Sequence, residues 1–573
     1  MRVKISSSTL FLILLIVFGA FSQGIIITKN YPQNYFRYPL NLPPSTAGSF
    51  AELRPNHFHS GLDFKTNHQK GFPVYAVNDG YVSRLRVQFG GFGNAIYITH
   101  PNGYTTVYGH IEKFGAAMDK YVKDAQAQQQ SFEVDVNLEP NQIPICKDDI
   151  IALSGNAGAS AGPHLHFEIR DSQTQETINP QLFGLTIPDT KPPSITAIGV
   201  YAMNEKPFSE NTPRVFLPVK AKAGKYYLKK PITLHLNGIF GFGISTNDLN
   251  NLSENHNGVY SIELKLDDKT VYTFAAERFA FDQTHAINAY IDYPAFLKNH
   301  RWMQKCFILP GSNISLYPNS INRGLISFDD NKLHKVEYMV KDIAGNTSTL
   351  LVNVQAGGAL KHSITNNQTS IKFKYNQKNE FVNQDVRMII PPGNLYDDLD
   401  FNYRVLPKRP GAYSVTHCIH NFYTPIHDGF DLWIKPDNSI GKYGDKAVIV
   451  NSAGVCDGGI YQDGFVKATA HSFGDYFIKI DTIPPLILPL NKKKGGNLSH
   501  AVGIFVRISD NLSGIKSYNA KIDGSWVLME WDFKTRILSY IFNKDFTKGN
   551  HQFELTVTDK KNNSSVYKTN FFR

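Results

Sequence analysis

Short strand-like runs follow one another between Gly24 and about Leu185, and this pattern limits the possible folds of the chain more than any other feature. Apolar and polar residues alternate in these runs, and turn sequences such as Asn78-Asp79-Gly80 and Pro101-Asn102-Gly103 separate them. Alternation with period two predicts half-buried β-strands, and Asp-Gly and Asn-Gly pairs favour tight antiparallel turns. Only Ile111 to Gln130, which is dominated by Ala, Lys and Gln, predicts a helix. We therefore predict a mostly antiparallel β domain, with strands at 73–77, 81–85, 95–98, 105–108 and 164–169.

A sequence repeat marks two later segments. Asp189-Thr190-Lys191-Pro192-Pro193-Ser194-Ile195 matches Asp481-Thr482-Ile483-Pro484-Pro485-Leu486-Ile487, and the run 334–342 matches 551–559. Both matching runs end in Asp, and a polar turn that contains Asn follows. The paired prolines fix φ and remove two N–H donors, which suits a hinge at the start of a domain. Each copy is predicted to be an immunoglobulin-like β-sandwich.

The length of 573 residues supports several domains, since a domain takes about 100–200 residues. The stretch between the two repeats is β-rich without a clear repeat of its own, and we predict a third sandwich-like domain there. The fold class is therefore mostly β, with an antiparallel-β domain followed by immunoglobulin-like β-sandwich domains. The predicted division is 1–22 signal peptide, 23–185 first β domain, 189–355 immunoglobulin-like sandwich, 356–480 sandwich-like domain and 481–573 immunoglobulin-like sandwich.

The first residues predict export. A positive start, Met1 to Lys4, precedes an apolar run from Thr9 to Phe21, and small residues at Ala20 and Ser22 offer a cleavage site after Ser22. The alternative is an uncleaved anchor, but the run is shorter than the roughly 20 residues of a spanning helix. We expect an exported protein of the periplasm, cell envelope or extracellular space, with no transmembrane segment after cleavage.

The charge indicates little about partners. Lys and Arg exceed Asp and Glu by 59 to 49, a net charge of +10 that becomes +8 without Arg2 and Lys4. Because the excess is spread along the chain, it does not predict nucleic-acid binding, and it suits a mild affinity for an anionic polymer.

The four cysteines leave several arrangements open. Cys418 and Cys456 lie near each other in one segment and could pair in an oxidising compartment, but four cysteines allow three pairings. Cys418 also belongs to a loose cluster with three histidines. We weigh a second metal site there against scattered loop residues and favour the latter; the histidines are His417, His420 and His427.

Three segments of the first domain carry residues suited to metal chemistry. His164 and His166 are spaced i, i+2, which places them on one face of a strand. His59 and Asp63 lie four apart, where a loop enters a strand. Two histidines and a carboxylate, with water in the fourth position, form a catalytic zinc arrangement. A single His-x-His pair has little weight, since His57 and His59 share that spacing; the weight comes from the order of HSGLD, YGH and GPHLHFE.

The strings HSGLDF, GFPVYAVNDGYV, GGFGNAIYITHPNGYTTVYGH and ALSGNAGASAGPHLHFEIRD resemble the lysostaphin/LytM-type zinc metallopeptidases. The resemblance covers about 50–185 and implies Zn²⁺ as the cofactor. It implies His59, Asp63 and His166 as zinc ligands, His110 and His164 as catalytic histidines and, more weakly, Asn94 as a residue near the substrate.

The sequence also departs from the family pattern. The stretch 118–145 is an insertion predicted as helix then strand, and Ala157 replaces a common Thr. These changes affect the expected substrate choice rather than the metal. Since the chain has no HExxH glutamate, a histidine must transfer the proton, and which one is the base stays open.

The function expected from the resemblance is an exported zinc endopeptidase that hydrolyses peptide cross-links in the peptide stems of peptidoglycan. The first alternative is a non-catalytic wall-binding regulator of an amidase, which the complete set of site residues disfavours. The second is an adhesin-like surface protein in which the sandwiches dominate.

Overall fold

The computed structural model describes residues 25–204, 207–222, 225–358, 371–491 and 496–573. The predicted signal peptide, 1–22, lies outside the described residues. None of the helices in these ranges has the length and apolar character needed to cross a membrane.

The first unit is built around an antiparallel sheet, as its alternating runs predicted. The five predicted strand runs overlap strands of the structure, and one helix lies within the predicted helical segment. The elements of this unit are β1 (Thr46–Gly48), β2 (Leu53–Arg54), β3 (His57–Phe58), β4 (Leu62–Lys65), β5 (Pro73–Tyr75), β6 (Gly80–Val87), β7 (Asn94–Thr99), β8 (Tyr104–Gly109), β9 (Lys113–Phe114), α1 (Ala116–Gln129), β10 (Val134–Asn137), β11 (Pro144–Ile145), β12 (Ile150–Leu153), β13 (His164–Asp171) and β14 (Thr177–Ile178).

Strand β13 lies at the centre of this sheet, between β4 and β8. Its apolar residues Leu165, Phe167 and Ile169 are fully buried in the hydrophobic core. Because side chains alternate along a strand, the histidines at 164 and 166 lie on the opposite face. The register sets His166 opposite Asp63 on one side and opposite Gly109 on the other.

The second unit shares a continuous hydrophobic core with the first. Phe58 packs against Tyr290, with ring centroids 5.6 Å apart, and β14 pairs antiparallel with Arg278–Phe279 of the second unit. The elements are β15 (Ser194–Ala202), β16 (Arg214–Lys222), β17 (Lys225–Leu228), β18 (Leu234–Leu236), β19 (Phe240–Asn247), β20 (Ser261–Leu266), β21 (Lys269–Ala275), β22 (Arg278–Phe279), α2 (Ile287–Tyr290), α3 (Tyr293–Asn299), β23 (Gln304–Lys305), β24 (Asn319–Ser320), β25 (Leu333–Lys341) and β26 (Thr347–Ala356). The described strands β15–β21 and β23–β26 form one large sheet.

The third unit has its own core, enclosed mainly by a five-stranded and a four-stranded sheet. Its strands are β27 (Ile371–Phe373), β28 (Asn379–Val382), β29 (Val386–Ile390), β30 (Leu399–Phe401), β31 (Tyr403–Leu406), β32 (Thr416–Ile419), β33 (Phe430–Ile434), β34 (Ala447–Asn451), β35 (Ile460–Gln462), β36 (Phe465–Ala470) and β37 (Gly474–Ile480).

The C-terminal unit consists of two four-stranded antiparallel sheets around one core. Val506 and Leu538 of one sheet and Leu555 and Val557 of the other are fully buried in that core. The strands are β38 (Leu486–Pro489), β39 (Gly503–Ser509), β40 (Ile515–Ile522), β41 (Ser525–Val527), β42 (Glu530–Asp532), β43 (Ile537–Ile541), β44 (Asn550–Asp559) and β45 (Ser564–Phe572).

The four cysteines are free, so the pairing of Cys418 with Cys456 that the sequence allowed is not formed. The loose histidine cluster around Cys418 is likewise dispersed. His417 Nδ1 lies 2.8 Å from the Tyr403 hydroxyl, and His427 Nδ1 lies 2.9 Å from the Tyr396 hydroxyl. Within the described ranges, these histidines do not belong to any group of side chains that could hold an ion.

Candidate active site

Three buried side chains converge on one point: Asp63 of β4, His166 of the neighbouring strand β13, and His59 of the loop that leads into β4. Asp63 Oδ1 lies 3.0 Å from His59 Nε2 and 3.0 Å from His166 Nδ1, and the two ring nitrogens are 3.1 Å apart. The register of β4 against β13 produces this meeting, because it sets Asp63 and His166 opposite each other. The structure thus brings together the three residues predicted as metal ligands.

In each histidine, the hydrogen bond of the outer ring nitrogen, which points away from the centre, determines whether the inner ring nitrogen carries a hydrogen or a lone pair. His59 Nδ1 lies 2.8 Å from the Ser49 carbonyl oxygen, and His166 Nε2 lies 2.9 Å from Glu168 Oε1. A carbonyl or a carboxylate can only accept, so each outer nitrogen carries the hydrogen and each inner nitrogen presents a lone pair. Two lone pairs and a carboxylate oxygen at about 3 Å from one another can together bind a cation. This donor set fits zinc.

Glu168, which the sequence reasoning missed, orients His166 from behind. Its side chain is fully buried and forms an ion pair with Arg170, whose Nη2 lies 2.6 Å from Oε2. Burial by itself raises the pKa of Glu168, but the Arg170 guanidinium and the hydrogen bond from His166 outweigh burial and lower this pKa to about 2. The Glu168 carboxylate is therefore ionised at neutral pH. The available signal was the period-two spacing, which places 164, 166, 168 and 170 on one strand face.

Replacing Glu168 by glutamine is expected to weaken zinc binding by about 10–100-fold, the usual cost of losing a partner that orients a metal-bound histidine. The neutral amide accepts the His166 hydrogen less strongly and leaves Arg170 without its counter-charge. Competition with a chromophoric chelator measures the affinity. Glu139→Gln, on the exposed surface of the same unit, is the matched control. Equal zinc affinity in the two folded variants would contradict the assigned role.

The two histidines predicted as catalytic lie beside this centre, with their ring centroids 4.7 Å apart. His164 Nε2 lies 3.3 Å from Asp63 Oδ1, and its Nδ1 lies 2.8 Å from the Gly162 carbonyl oxygen. His110 follows the end of β8 and has a left-handed φ of 59°. A non-glycine residue in that region is uncommon and is often found at functional sites.

His110 is held by the backbone of a neighbouring loop. Its Nδ1 donates to the Ala157 carbonyl oxygen at 2.8 Å, which leaves Nε2 as a proton acceptor. Burial, together with the nearby rings of His166 and His164, lowers the pKa of His110 to about 3, so the imidazole is neutral. A neutral imidazole whose Nε2 carries a lone pair can accept a hydrogen bond from a water molecule and orient that water.

Asn94 and His57 make their contacts outside the cluster of His59, Asp63 and His166. The Asn94 amide donates to the Ile111 carbonyl oxygen at 3.0 Å, and the Ile111 N–H donates back to Asn94 O, so Asn94 braces the residue after His110. His57 is exposed, and its Nδ1 lies 3.1 Å from the Pro55 carbonyl oxygen. A role of Asn94 in substrate binding stays a prediction.

Two residues that sequence reasoning did not select complete the surroundings of the centre. The Phe92 ring stacks on His166, with centroids 4.8 Å apart, and covers one side of the imidazole. Arg54 Nη2 lies 3.5 Å from Asp63 Oδ2, the carboxylate oxygen that faces away from the histidines. No short motif marks these contacts, because they depend on loops that fold back over the sheet.

A cavity of about 660 Å³ lies next to the site, between the first and the C-terminal units. Asn94 and Asn156 line it from the first unit, and Trp531 and Lys534 line it from the β42–β43 hairpin. The hairpin is anchored there, since Lys534 Nζ donates to the Asn156 carbonyl oxygen at 2.6 Å and Trp531 packs on Phe89 with ring centroids 4.6 Å apart. The volume lies within the range of sites for peptides and small molecules.

Comparison with known families agrees with this geometry. Residues 57–128 match the model described as peptidase family M23, and residues 370–481 match the model described as a Zu5-like domain. The first match contains His59, Asp63 and His110, and it ends before His164 and His166. It confirms the metallopeptidase resemblance of the first unit.

Individual relatives match about a quarter of the chain or less. An uncharacterized metalloprotease of Haemophilus influenzae is 32% identical over 155 residues, which are 26% of this chain and 26% of that protein. The peptidoglycan DD-endopeptidase ShyB of Vibrio cholerae is 33% identical over 111 residues, 19% of this chain and 20% of that protein. The chain thus spans about a quarter or less of the length of these curated relatives.

One solved structure is similar to part of the chain. The catalytic domain of lysostaphin from Staphylococcus simulans is 22% identical, with 24% of this chain and 91% of that chain covered and a TM-score of 0.18. So low a score over so small a part of the chain carries no argument about function.

Proposed function

We propose that this chain is an exported zinc endopeptidase that hydrolyses peptide cross-links of peptidoglycan in the cell envelope. The observation that carries the proposal is the convergence of His59, Asp63 and His166 on one point beside the imidazoles of His110 and His164. The family match supports a peptidase, and the Vibrio cholerae relative, a peptidoglycan DD-endopeptidase, supports the substrate class.

The residues divide into holding and proton-transferring roles. His59, Asp63 and His166 would hold the zinc ion, which when bound supplies Lewis-acid chemistry by polarising the scissile carbonyl and acidifying water. His110, neutral and with Nε2 free, accepts a proton from the attacking water. His164, whose ring centroid lies 4.7 Å from that of His110, stabilises the negative charge that develops on the carbonyl oxygen when the His164 ring is protonated.

The cavity beside the site supplies a place for the peptide. Its wall carries carboxylates such as Glu112 and Glu530 and ammonium groups such as Lys123 and Lys534. A wall of both signs suits a peptide stem, which carries both carboxylates and amines. The α1 helix belongs to the insertion that the sequence identified, and it forms part of this wall through Asp119, Val122, Lys123 and Gln126.

Mass spectrometry of defined muropeptides digested by the zinc-loaded protein tests the proposal. We expect cross-linked dimers to be converted to monomers by the wild type, while His164→Ala retains zinc and loses at least about 100-fold in rate, the usual effect of removing an acid or base. Intact dimers after digestion with a wild type that holds zinc would reject the peptidoglycan substrate. Cleavage at an undiminished rate by His164→Ala would reject the role of that histidine.

A further inference from the structure

The sequence repeat occurs at the start and at the end of two units, and in each unit its aspartates belong to a similar cluster of three carboxylates. Asp189 and Asp342, from the two ends of the repeat, meet Asp248, which directly follows β19. In the C-terminal unit the corresponding residues are Asp481, Asp559 and Asp510, which directly follows β39. We call these sets the first and second Asp triads. In each triad, one oxygen of every carboxylate lies within 4.8 Å of the others.

An asparagine clamps each triad in the same way. Asn346 donates its backbone N–H and its side-chain amide to Asp342, at 2.9 and 2.8 Å, and the same amide reaches the Asp189 carbonyl oxygen. Asn563 makes the equivalent bonds to Asp559 and to the Asp481 carbonyl oxygen. The two copies of the repeat therefore share this hydrogen-bonded arrangement of Asp and Asn side chains as well as the paired prolines.

The first triad is buried without enough donors to satisfy it. Asp248 is only 6% exposed, and its Oδ1 has no hydrogen-bond partner in the part of the chain that the structure describes. Burial, followed by the charges of Asp342 and Asp189, raises the pKa of Asp248 to about 8. Buried carboxylates this close to one another are unfavourable unless a cation or a proton lies between them.

Further oxygens without partners face the same space. Asn257 is 4% exposed, and neither its Oδ1 nor its Nδ2 has a partner among the described residues; the same holds for Oδ1 of the buried Asn250. Asp189, Asp248, Asn250 and Asn257 together line a cavity of about 30 Å³. This volume exceeds the roughly 10–15 Å³ that one water molecule requires, so a single ion fits.

We propose that the first Asp triad is a calcium site. Carboxylate and carboxamide oxygens converge on a cavity of ionic size, and no His or Cys takes part, which is the donor set of a hard cation. Ca²⁺ accepts six to eight such oxygens in flexible geometry, whereas Mg²⁺ demands an octahedron and retains several waters. An ion here neutralises the three carboxylates and gives the unpaired oxygens of Asp248, Asn250 and Asn257 a partner.

The positive charges around the two triads differ, and the difference favours an ion at the first triad. Lys191 places its Nζ 3.1 Å from the Asn250 carbonyl oxygen, and this single ammonium group does not balance three carboxylates. At the second triad, Lys446 donates to Asn563 Oδ1 at 2.7 Å, and the positive charge of Lys561 interacts with Asp481. Two lysines therefore already provide counter-charge there.

The first triad also lies against the sheet that carries the zinc ligands. The Asn250 amide donates to Thr46 Oγ1 at 2.9 Å, and the Gly258 N–H donates to Ser49 Oγ at 2.9 Å. The Ser49 carbonyl oxygen accepts the hydrogen of His59. A calcium ion would therefore tie the first and second units together at the loop that orients a predicted zinc ligand.

Calcium binding and heat unfolding of the full zinc-loaded chain test the proposal. We expect equilibrium dialysis with ⁴⁵Ca²⁺ to lose one bound ion per chain when Asp248 is replaced by asparagine. Millimolar Ca²⁺ should raise the Tm of the wild type by about 5 °C or more, and Mg²⁺ should not. Without Ca²⁺, Asp248→Asn should be at least as stable as the wild type, because it replaces a buried carboxyl group whose ionisation is unfavourable with a neutral amide.

Asp268→Asn, at an exposed turn of the same unit, is the matched control and should bind Ca²⁺ as the wild type does. Three outcomes would overturn the proposal: equal Ca²⁺ binding by Asp248→Asn and the wild type, equal stabilisation by Mg²⁺, or no Ca²⁺ binding at all, which would leave a proton shared between carboxylates as the neutralising group. Because none of these readouts is peptidase activity, failure of this proposal is distinguishable from failure of the proposed function.

Discussion

Replacing Asp63 by alanine is expected to remove zinc from the protein and to lower muropeptide hydrolysis by about 1000-fold or more. Asp63 Oδ1 is the oxygen that lies 3.0 Å from both ligand nitrogens, so its loss leaves two neutral imidazoles to hold a divalent cation. Loss of several kcal/mol of Lewis-acid stabilisation corresponds to about three decades in rate. Elemental analysis of the purified protein gives zinc per chain, and initial rates on cross-linked muropeptides give the activity.

Asp124→Ala is the matched control for this experiment. Asp124 is an exposed carboxylate on α1 that pairs with Lys120, so its removal should change neither zinc content nor rate. Comparing heat unfolding of Asp63→Ala with that of metal-free wild type separates loss of metal from loss of fold. Full zinc occupancy in a folded Asp63→Ala protein would refute its assignment as a ligand.

Replacing His110 by asparagine is expected to leave zinc in place and to reduce the rate by about 100–10,000-fold, the range for a general acid or base. Asparagine is the chosen substitute because it tolerates the left-handed backbone that His110 adopts, whereas alanine would add strain. Its carboxamide cannot exchange a proton at neutral pH. The measurement is kcat on a defined dimer, with zinc content determined on the same sample.

His68→Asn is the control for the effect of a His-to-Asn substitution at a left-handed backbone position. His68 is exposed and also has a positive φ, of 58°, so the same substitution is made in the same conformation away from the site. Activity should be unchanged in that variant. A His110→Asn enzyme that retains zinc and works at the wild-type rate would exclude His110 as the proton acceptor.

Much of the site could be predicted from residue order because its elements are local. The spacing of His164 and His166 places both on one strand face whatever the rest of the chain does, and the alternating runs around them predict strands. Glu168 lies on the same face at the next alternate position and was missed, since a buried glutamate cannot be told from an exposed one by spacing alone.

The amino-acid order alone shows the period of the strands, the residues able to bind a metal and the repeat that begins with Asp-Thr-x-Pro-Pro. Which of these residues meet depends on the tertiary fold. The register of β4 against β13 brings Asp63 to His166, and Asp248 joins two aspartates that lie 59 and 94 residues away. The tertiary fold also places the β42–β43 hairpin of the C-terminal unit against the cavity beside the site. Contacts between distant segments depend on the free energy of packing the whole core, which no local pattern encodes.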